Sequence, residues 1–210
     1  MNGTPTPNIR MHQYRLECSN YINRLMKDFI IIPREFLTET ALAKLYTNTT
    51  SGFDTPRQQT SGRVRIVSKK FIAAPRAGAV GVWATTSSSA KTYDTKMFFY
   101  DVIYKGNEEE EDEENNMGGN YFTFQTEDGQ DYSIEPLSYT MADVEVSCTC
   151  LDFYYRFAVW NDSDGSLFGN APPTYIKKTD RKPLNPQRLP GLCKHLMSLT
   201  TEIRQERFLQ

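Results

Sequence analysis

The sequence predicts an α+β protein with a mainly antiparallel sheet, helices in its N-terminal part and one C-terminal helix. Aromatic residues make up 12% of the 210 residues, and they cluster with Val and Ile in short runs typical of strands. Two of these runs flank Asp128-Gly129, a dipeptide typical of a hairpin turn. Apolar residues at helical spacing occur near both ends of the chain instead. This length is sufficient for one sizeable domain or two small ones.

Composition divides the chain into an arm, a helical part and a β-rich part. Residues 1–10 are mostly Thr, Pro, Asn and Gly, so we expect a flexible arm that becomes ordered only against a partner. Residues 11–60 are expected to hold N-terminal helices and a loop, and residues 61–210 a β-rich domain. The alternative is a single domain over residues 11–210.

Two helices are predicted in the N-terminal part. Apolar residues recur at helical spacing between residues 21 and 32, and Pro33 ends this pattern. A second helix is expected to begin at Pro33 and to run to residue 46. The next stretch, 47–62, is rich in Thr, Ser, Gly and Gln, and loops of this length are often functional. We therefore interpret it as a candidate interaction surface.

The strands and the later helices follow from the spacing of apolar residues. Phe153, Tyr154, Phe157 and Trp160 have helix-like spacing, which is more typical of a core than of an aromatic binding stripe. Leu192, Leu196, Leu199 and Ile203 predict the C-terminal helix, which follows a Pro-Gly turn. The predicted strands are RVRIVSKKFIAA (63–74), AVGVWATTSS (79–88), KMFFYDVIYKG (96–106), a hairpin over 121–137 and DVEVSCTC (143–150).

Charge is distributed unevenly along the chain. Residues 1–105 contain 15 basic and 7 acidic residues, whereas residues 106–210 contain 9 and 19. Much of the excess is the acidic run EEEEDEE at 108–114, for which we expect a solvated loop. Calcium binding and docking onto a basic partner are the alternatives, although the run lacks the ligand spacing of a calcium loop.

Three of the four cysteines and one of the two histidines form two short pairs. The pairs are Cys148-x-Cys150, at the end of a predicted strand, and Cys193-x-His195, at the start of the predicted C-terminal helix. Residues two apart on a strand point to the same side, so Cys148 and Cys150 can offer two sulfurs to one ion. Cys193 and His195 can converge on the same ion because the Pro-Gly entry is not yet regular helix.

Three thiolates and one imidazole are a ligand set that zinc accepts in closed structural sites. We therefore predict a zinc site at Cys148, Cys150, Cys193 and His195, which would tie the C-terminal helix to the sheet and make residues 61–210 a metal-binding domain. An iron–sulfur cluster is the second choice. The third is a set of small buried cysteines beside an unrelated histidine.

The pattern of VSCTC on a strand and GLCKHL on a helix resembles the SWIM-type zinc-binding signature. The wider context, CTCLDFYYRFAVWN followed by NPQRLPGLCKHL, is similar to a segment of structural proteins from tailed-bacteriophage virions. This resemblance covers about residues 144–200. It implies metal ligation by Cys148, Cys150, Cys193 and His195, and membership in a phage particle.

The expected function is that of a structural component of a tailed-phage virion, in the tail, baseplate or neck. We expect it to be made in the host cytoplasm and to assemble with other virion proteins and with copies of itself, because opposite charges in its two halves favour head-to-tail rings. No membrane segment is predicted.

Two other classes of function are the alternatives to this expectation. One is a nucleic-acid-binding zinc module of SWIM type, and its support is a set of basic residues: Lys177, Lys178, Arg181, Lys182, Arg188 and Lys194. The other is an enzyme, which is not expected, because general bases are scarce and a closed four-ligand ion has no free position for a substrate.

Overall fold

The fold is known from a computed structural model, which describes residues 41–53, 61–105, 121–170, 172–173 and 182–210. The predicted arm, the first helix and the acidic run 108–114 lie outside these residues. So do Cys18 and His12, to which no role is assigned. Within the described part of the chain, no helix is both long enough and apolar enough to span a bilayer.

The α+β class with a mainly antiparallel sheet is confirmed. The strands are β1 (Arg65–Ala74), β2 (Ala79–Ser88), β3 (Lys91–Phe99), β4 (Phe122–Gln125), β5 (Asp131–Ile134) and β6 (Val144–Cys148). A four-stranded sheet has the order β1-β2-β3-β6, and every neighbouring pair is antiparallel. A separate hairpin joins β4 to β5, and its turn contains Gly129 at a φ of 82°, a conformation that glycine adopts without strain.

The prediction for the third strand was wrong in its boundaries. β3 begins at Lys91 and ends at Phe99, whereas the run of aromatic and apolar residues predicted 96–106. Ser88 pairs with Lys91, so only Ser89 and Ala90 connect β2 to β3, with Ser89 at a φ of 63°. Because this tight turn has no Asn-Gly or Asp-Gly dipeptide, the polar residues of the hairpin looked like a loop.

The helices are α1 (Leu42–Ser51), α2 (Leu151–Phe153), a π-helical turn (Tyr154–Ala158), α3 (Val159–Asp164) and α4 (Lys194–Gln205). The second helix was predicted to begin at Pro33, but Ala41 is extended and α1 begins at Leu42. Residues 33–40 lie outside the described residues. α1 continues through residues 47–51, which were predicted to be loop. Thr49 is fully buried, and its hydroxyl donates to the carbonyl of Leu45 at 2.9 Å. A polar residue can stay in a buried helix when its hydrogen bonds are satisfied in this way.

α4 packs on one face of the sheet and contacts β1, β2, β3 and β6. Leu196, Leu199 and Ile203 on this helix are fully buried, as the sequence predicted. They pack in one core with strand residues such as Val82 and Met97. Burial of each such side chain contributes about 1.5–3 kcal/mol relative to exposure, so α4 is held to the sheet by apolar packing independently of any ion.

The aromatic residues of 151–161 are only partly core. Phe153 and Phe157 are buried, as expected, but Tyr154 is 38% exposed. Trp160 is half-buried, and the guanidinium of Arg188 lies 5.6 Å from its ring centroid. The helix therefore presents one aromatic face to the core and another to its surroundings.

Candidate metal centre

The first cysteine pair lies where β6 gives way to a helix. Cys148 is the last residue of β6 and pairs with Thr95 of β3. Cys150 is the N-cap of α2, and its sulfur accepts a hydrogen bond from the backbone N–H of Phe153 at 3.3 Å. The prediction placed both cysteines on a strand, but only Cys148 lies on one. The sharp change from strand to helix directs both sulfurs to the same point.

The backbone just before the second pair is held in place by hydrogen bonds from side chains of two other helices. The side chain of Asn161 donates to the carbonyl of Gly191 at 3.2 Å and accepts from the N–H of Gly191 at 2.8 Å. The hydroxyl of Thr49 accepts from the N–H of Leu192 at 2.7 Å. Because Asn161 and Thr49 are fully buried, these bonds fix the backbone immediately before Cys193.

Cys193 is the N-cap of α4 and His195 is its second residue. The first turn of a helix has not yet closed its own hydrogen bonds, so the extended Cys193 backbone, at a ψ of 169°, lets the two side chains converge. The sequence predicted this arrangement from the Pro-Gly entry.

The four side chains form one compact buried group. Their ligand atoms all lie within 4.8 Å of one another, and no side chain in the group is more than 8% exposed. Nδ1 of His195 is 3.9 Å from the sulfur of Cys148 and 3.9 Å from that of Cys193. In tetrahedral zinc sites, with bonds of about 2.3 Å to sulfur and about 2.0 Å to nitrogen, these atoms are about 3.6 Å apart. The residues therefore fit a tetrahedral ion.

The three thiols affect one another's ionisation. Hydrogen bonds from Cys148 and Cys193 strongly lower the pKa of Cys150, and the hydrogen bond to Cys150 raises the pKa of Cys148. Burial is the main reason that the pKa of Cys193 is raised. A metal that binds all three sulfurs as thiolates must therefore displace their protons.

Two further side chains contact the imidazole of His195, and no pattern in the sequence predicted either contact. Nε2 lies 2.9 Å from the hydroxyl of Ser88, at the end of β2. The ring of Tyr93, on β3, lies 4.4 Å from the imidazole between ring centroids. Both residues belong to the β2–β3 hairpin, more than 100 residues before His195 in the chain, and no local pattern connects them.

The arrangement can hold one ion through four protein atoms. Each of the two segments that provide ligands also belongs to the core, since Phe157 and Leu192 are fully buried. An ion at this site would join the end of β6, the start of α2 and the start of α4. Of the basic residues considered for nucleic-acid binding, Lys182 and Arg188 are exposed on the connection before α4, and Lys194 is half-buried at the first position of α4, between two of the ligands. Lys177, Lys178 and Arg181 are outside the described residues.

Comparison of the chain with models of known protein families, with curated proteins and with solved structures gives no match. The class of protein is therefore defined by its own fold and site: an α+β protein whose sheet and C-terminal helix share a buried Cys₃His group that could hold a metal ion.

Proposed function

We propose that the protein is a structural component of a tailed-bacteriophage virion that acts through protein–protein assembly, and that its Cys₃His group holds a structural zinc ion. The observation that carries the proposal is the closed, buried ligand group between the sheet and α4. An ion with four protein ligands has no position for a substrate or for an activated water, whereas catalytic zinc sites keep one.

Burial of the ligands supports a structural role in a second way. When a metal site forms only in the folded chain, its binding free energy contributes to folding. Here the ion would join α4 to the end of β6 and hold both ends of the segment between Cys150 and Cys193.

Exposed apolar side chains support an assembly role. Leu151, Tyr155 and Val159 follow one another at intervals of four along α2, the π-turn and α3, and they are 68%, 50% and 39% exposed. Residues at this spacing share one face of a helix, and contiguous exposed apolar surface is typical of contact sites with other proteins. The unequal charge of the two halves favours head-to-tail contacts between copies.

Metal content is the first test of the proposal. The purified 210-residue protein is expected to contain one zinc ion per chain by elemental analysis and to be colourless. A brown protein that contains iron would keep the four ligands and replace zinc by an iron–sulfur cluster. Protein purified without any metal under reducing conditions, and unable to take up zinc, would contradict the proposed site.

Assembly is the second test. The zinc-loaded protein is expected to form oligomers of defined size, measured by sedimentation velocity over a range of concentrations. Binding to DNA, measured at low and at moderate salt, tests the alternative function. Two salt concentrations are used because phosphate contacts weaken steeply as salt rises. A protein that stays monomeric at every concentration and binds DNA in a salt-dependent way would overturn the assembly role in favour of a nucleic-acid-binding zinc module.

A further inference from the structure

We propose that Ser88 is a positioning residue that makes His195 bind the metal through Nδ1. This inference rests on the proposed zinc site. Ser88 is not one of the four ligands; it lies in a different part of the chain and contacts the imidazole of the ligand His195. It concerns which of the two imidazole nitrogens faces the ion, a choice that the C-x-H spacing leaves open.

The geometry around the imidazole assigns different roles to its two nitrogens. Nδ1 lies 3.9 Å from the sulfurs of both Cys148 and Cys193, which places it inside the ligand group. Nε2 lies 2.9 Å from the hydroxyl oxygen of Ser88. A neutral imidazole carries its proton on one nitrogen, and a metal takes the other. With Nδ1 on the metal, Nε2–H donates to Ser88.

Ser88 is well placed to keep the ring in this orientation. It is 9% exposed, and its backbone is held in register with Lys91 by the two-residue turn at Ser89 and Ala90. Tyr93, on the adjacent strand, lies against the imidazole with an angle of 38° between ring planes. Rotation of the ring to present Nε2 to the sulfurs would lose the bond to Ser88 and leave a buried N–H to be satisfied elsewhere.

The hydrogen bond also connects the hairpin of β2 and β3 to the ion. Partners of this kind fix the orientation of a metal-binding histidine and raise its basicity, and their loss typically weakens metal affinity 10- to 100-fold. The ion would therefore restrain three neighbouring strands of the sheet, β2, β3 and β6, and not only the end of β6.

The test uses the zinc-loaded full-length protein and two serine variants. Long-range ¹H–¹⁵N correlation spectra of the histidines are expected to show metal on Nδ1 of His195 and a proton on Nε2. In Ser88→Ala, zinc affinity measured by competition with a chelator is expected to fall about 10- to 100-fold, and the Nε2 proton is expected to exchange faster with solvent. Ser87→Ala, which alters the neighbouring serine on the opposite face of β2, is the matched control and should change neither quantity.

The possible results distinguish failure of the role of Ser88 from failure of the zinc site itself. Zinc bound through Nε2 in the wild-type protein, or equal zinc affinities and equal proton exchange in the two variants, would reject the role of Ser88 and keep the zinc site. Absence of zinc from the wild-type protein would reject the site itself. Circular dichroism of Ser88→Ala establishes that the variant is folded before its affinity is compared.

Discussion

Replacing Cys193 by Ser is expected to abolish stoichiometric zinc binding and to lower the free energy of unfolding of the zinc-loaded protein by about 4 kcal/mol. The figure follows from linkage, because an ion that binds only the folded chain stabilises it by about 4.1 kcal/mol when free zinc is a thousandfold above its Kd. Cys193 is fully buried and begins α4, so no water can replace its sulfur without opening the core.

Chemical denaturation of the wild-type and variant proteins, each with zinc and with a chelator, measures this effect. The difference between the two proteins should be large with zinc and much smaller with the chelator, where neither has an ion. Cys18→Ser makes the same chemical change at the remaining cysteine of the chain and is expected to keep one zinc per chain. Equal losses of stability with and without zinc would mean that Cys193 acts only as a core residue.

The second large effect is expected at Gly191, two residues before Cys193. A Cβ atom at this position would lie 2.6 Å from the hydroxyl oxygen of Thr49 and 2.8 Å from a ring carbon of Phe157. Neither neighbour can move freely, because Thr49 accepts from the N–H of Leu192 and Phe157 is fully buried. Gly191→Ala is therefore expected to destabilise the protein by about 1–3 kcal/mol, the usual cost of overpacking.

Gly191→Ala should also weaken zinc binding, because the displaced segment leads directly to Cys193. Thermal and chemical denaturation give the change in stability, and chelator competition gives the change in affinity. Gly62→Ala is the matched control, since no atom lies within 4 Å of a Cβ built there, and it should lose neither stability nor zinc. A Gly191→Ala variant as stable as this control would show that the close contacts relax without cost.

The candidate metal centre could be predicted from the sequence because its two residue pairs are local. Cys148 and Cys150 are two residues apart, as are Cys193 and His195, and short spacing restricts where the side chains can point. The alternation of Val and aromatic residues placed β1 and β2, and the Asp-Gly dipeptide placed the β4–β5 hairpin. Each of these features depends on residues that are close together in the sequence.

Other features of the site depend on residues that are distant in sequence. Asn161 holds Gly191 from 30 residues away, and Thr49 holds Leu192 from 143 residues away. The polar stretch of α1 was predicted to be loop because its composition favours turns. In the folded protein the buried hydroxyl of Thr49 serves both the helix and the approach to Cys193.

By itself the sequence determined the α+β class, the positions of several strands, the C-terminal helix and the four residues of the candidate metal centre. The tertiary structure brings these four side chains into one buried group, as predicted. It alone decided which nitrogen of His195 faces this group and that Ser88 lies behind the ring. The physical reason is that periodicity and short spacing fix directions along one element. Contact between elements depends on how their buried surfaces pack and on which distant polar groups satisfy one another.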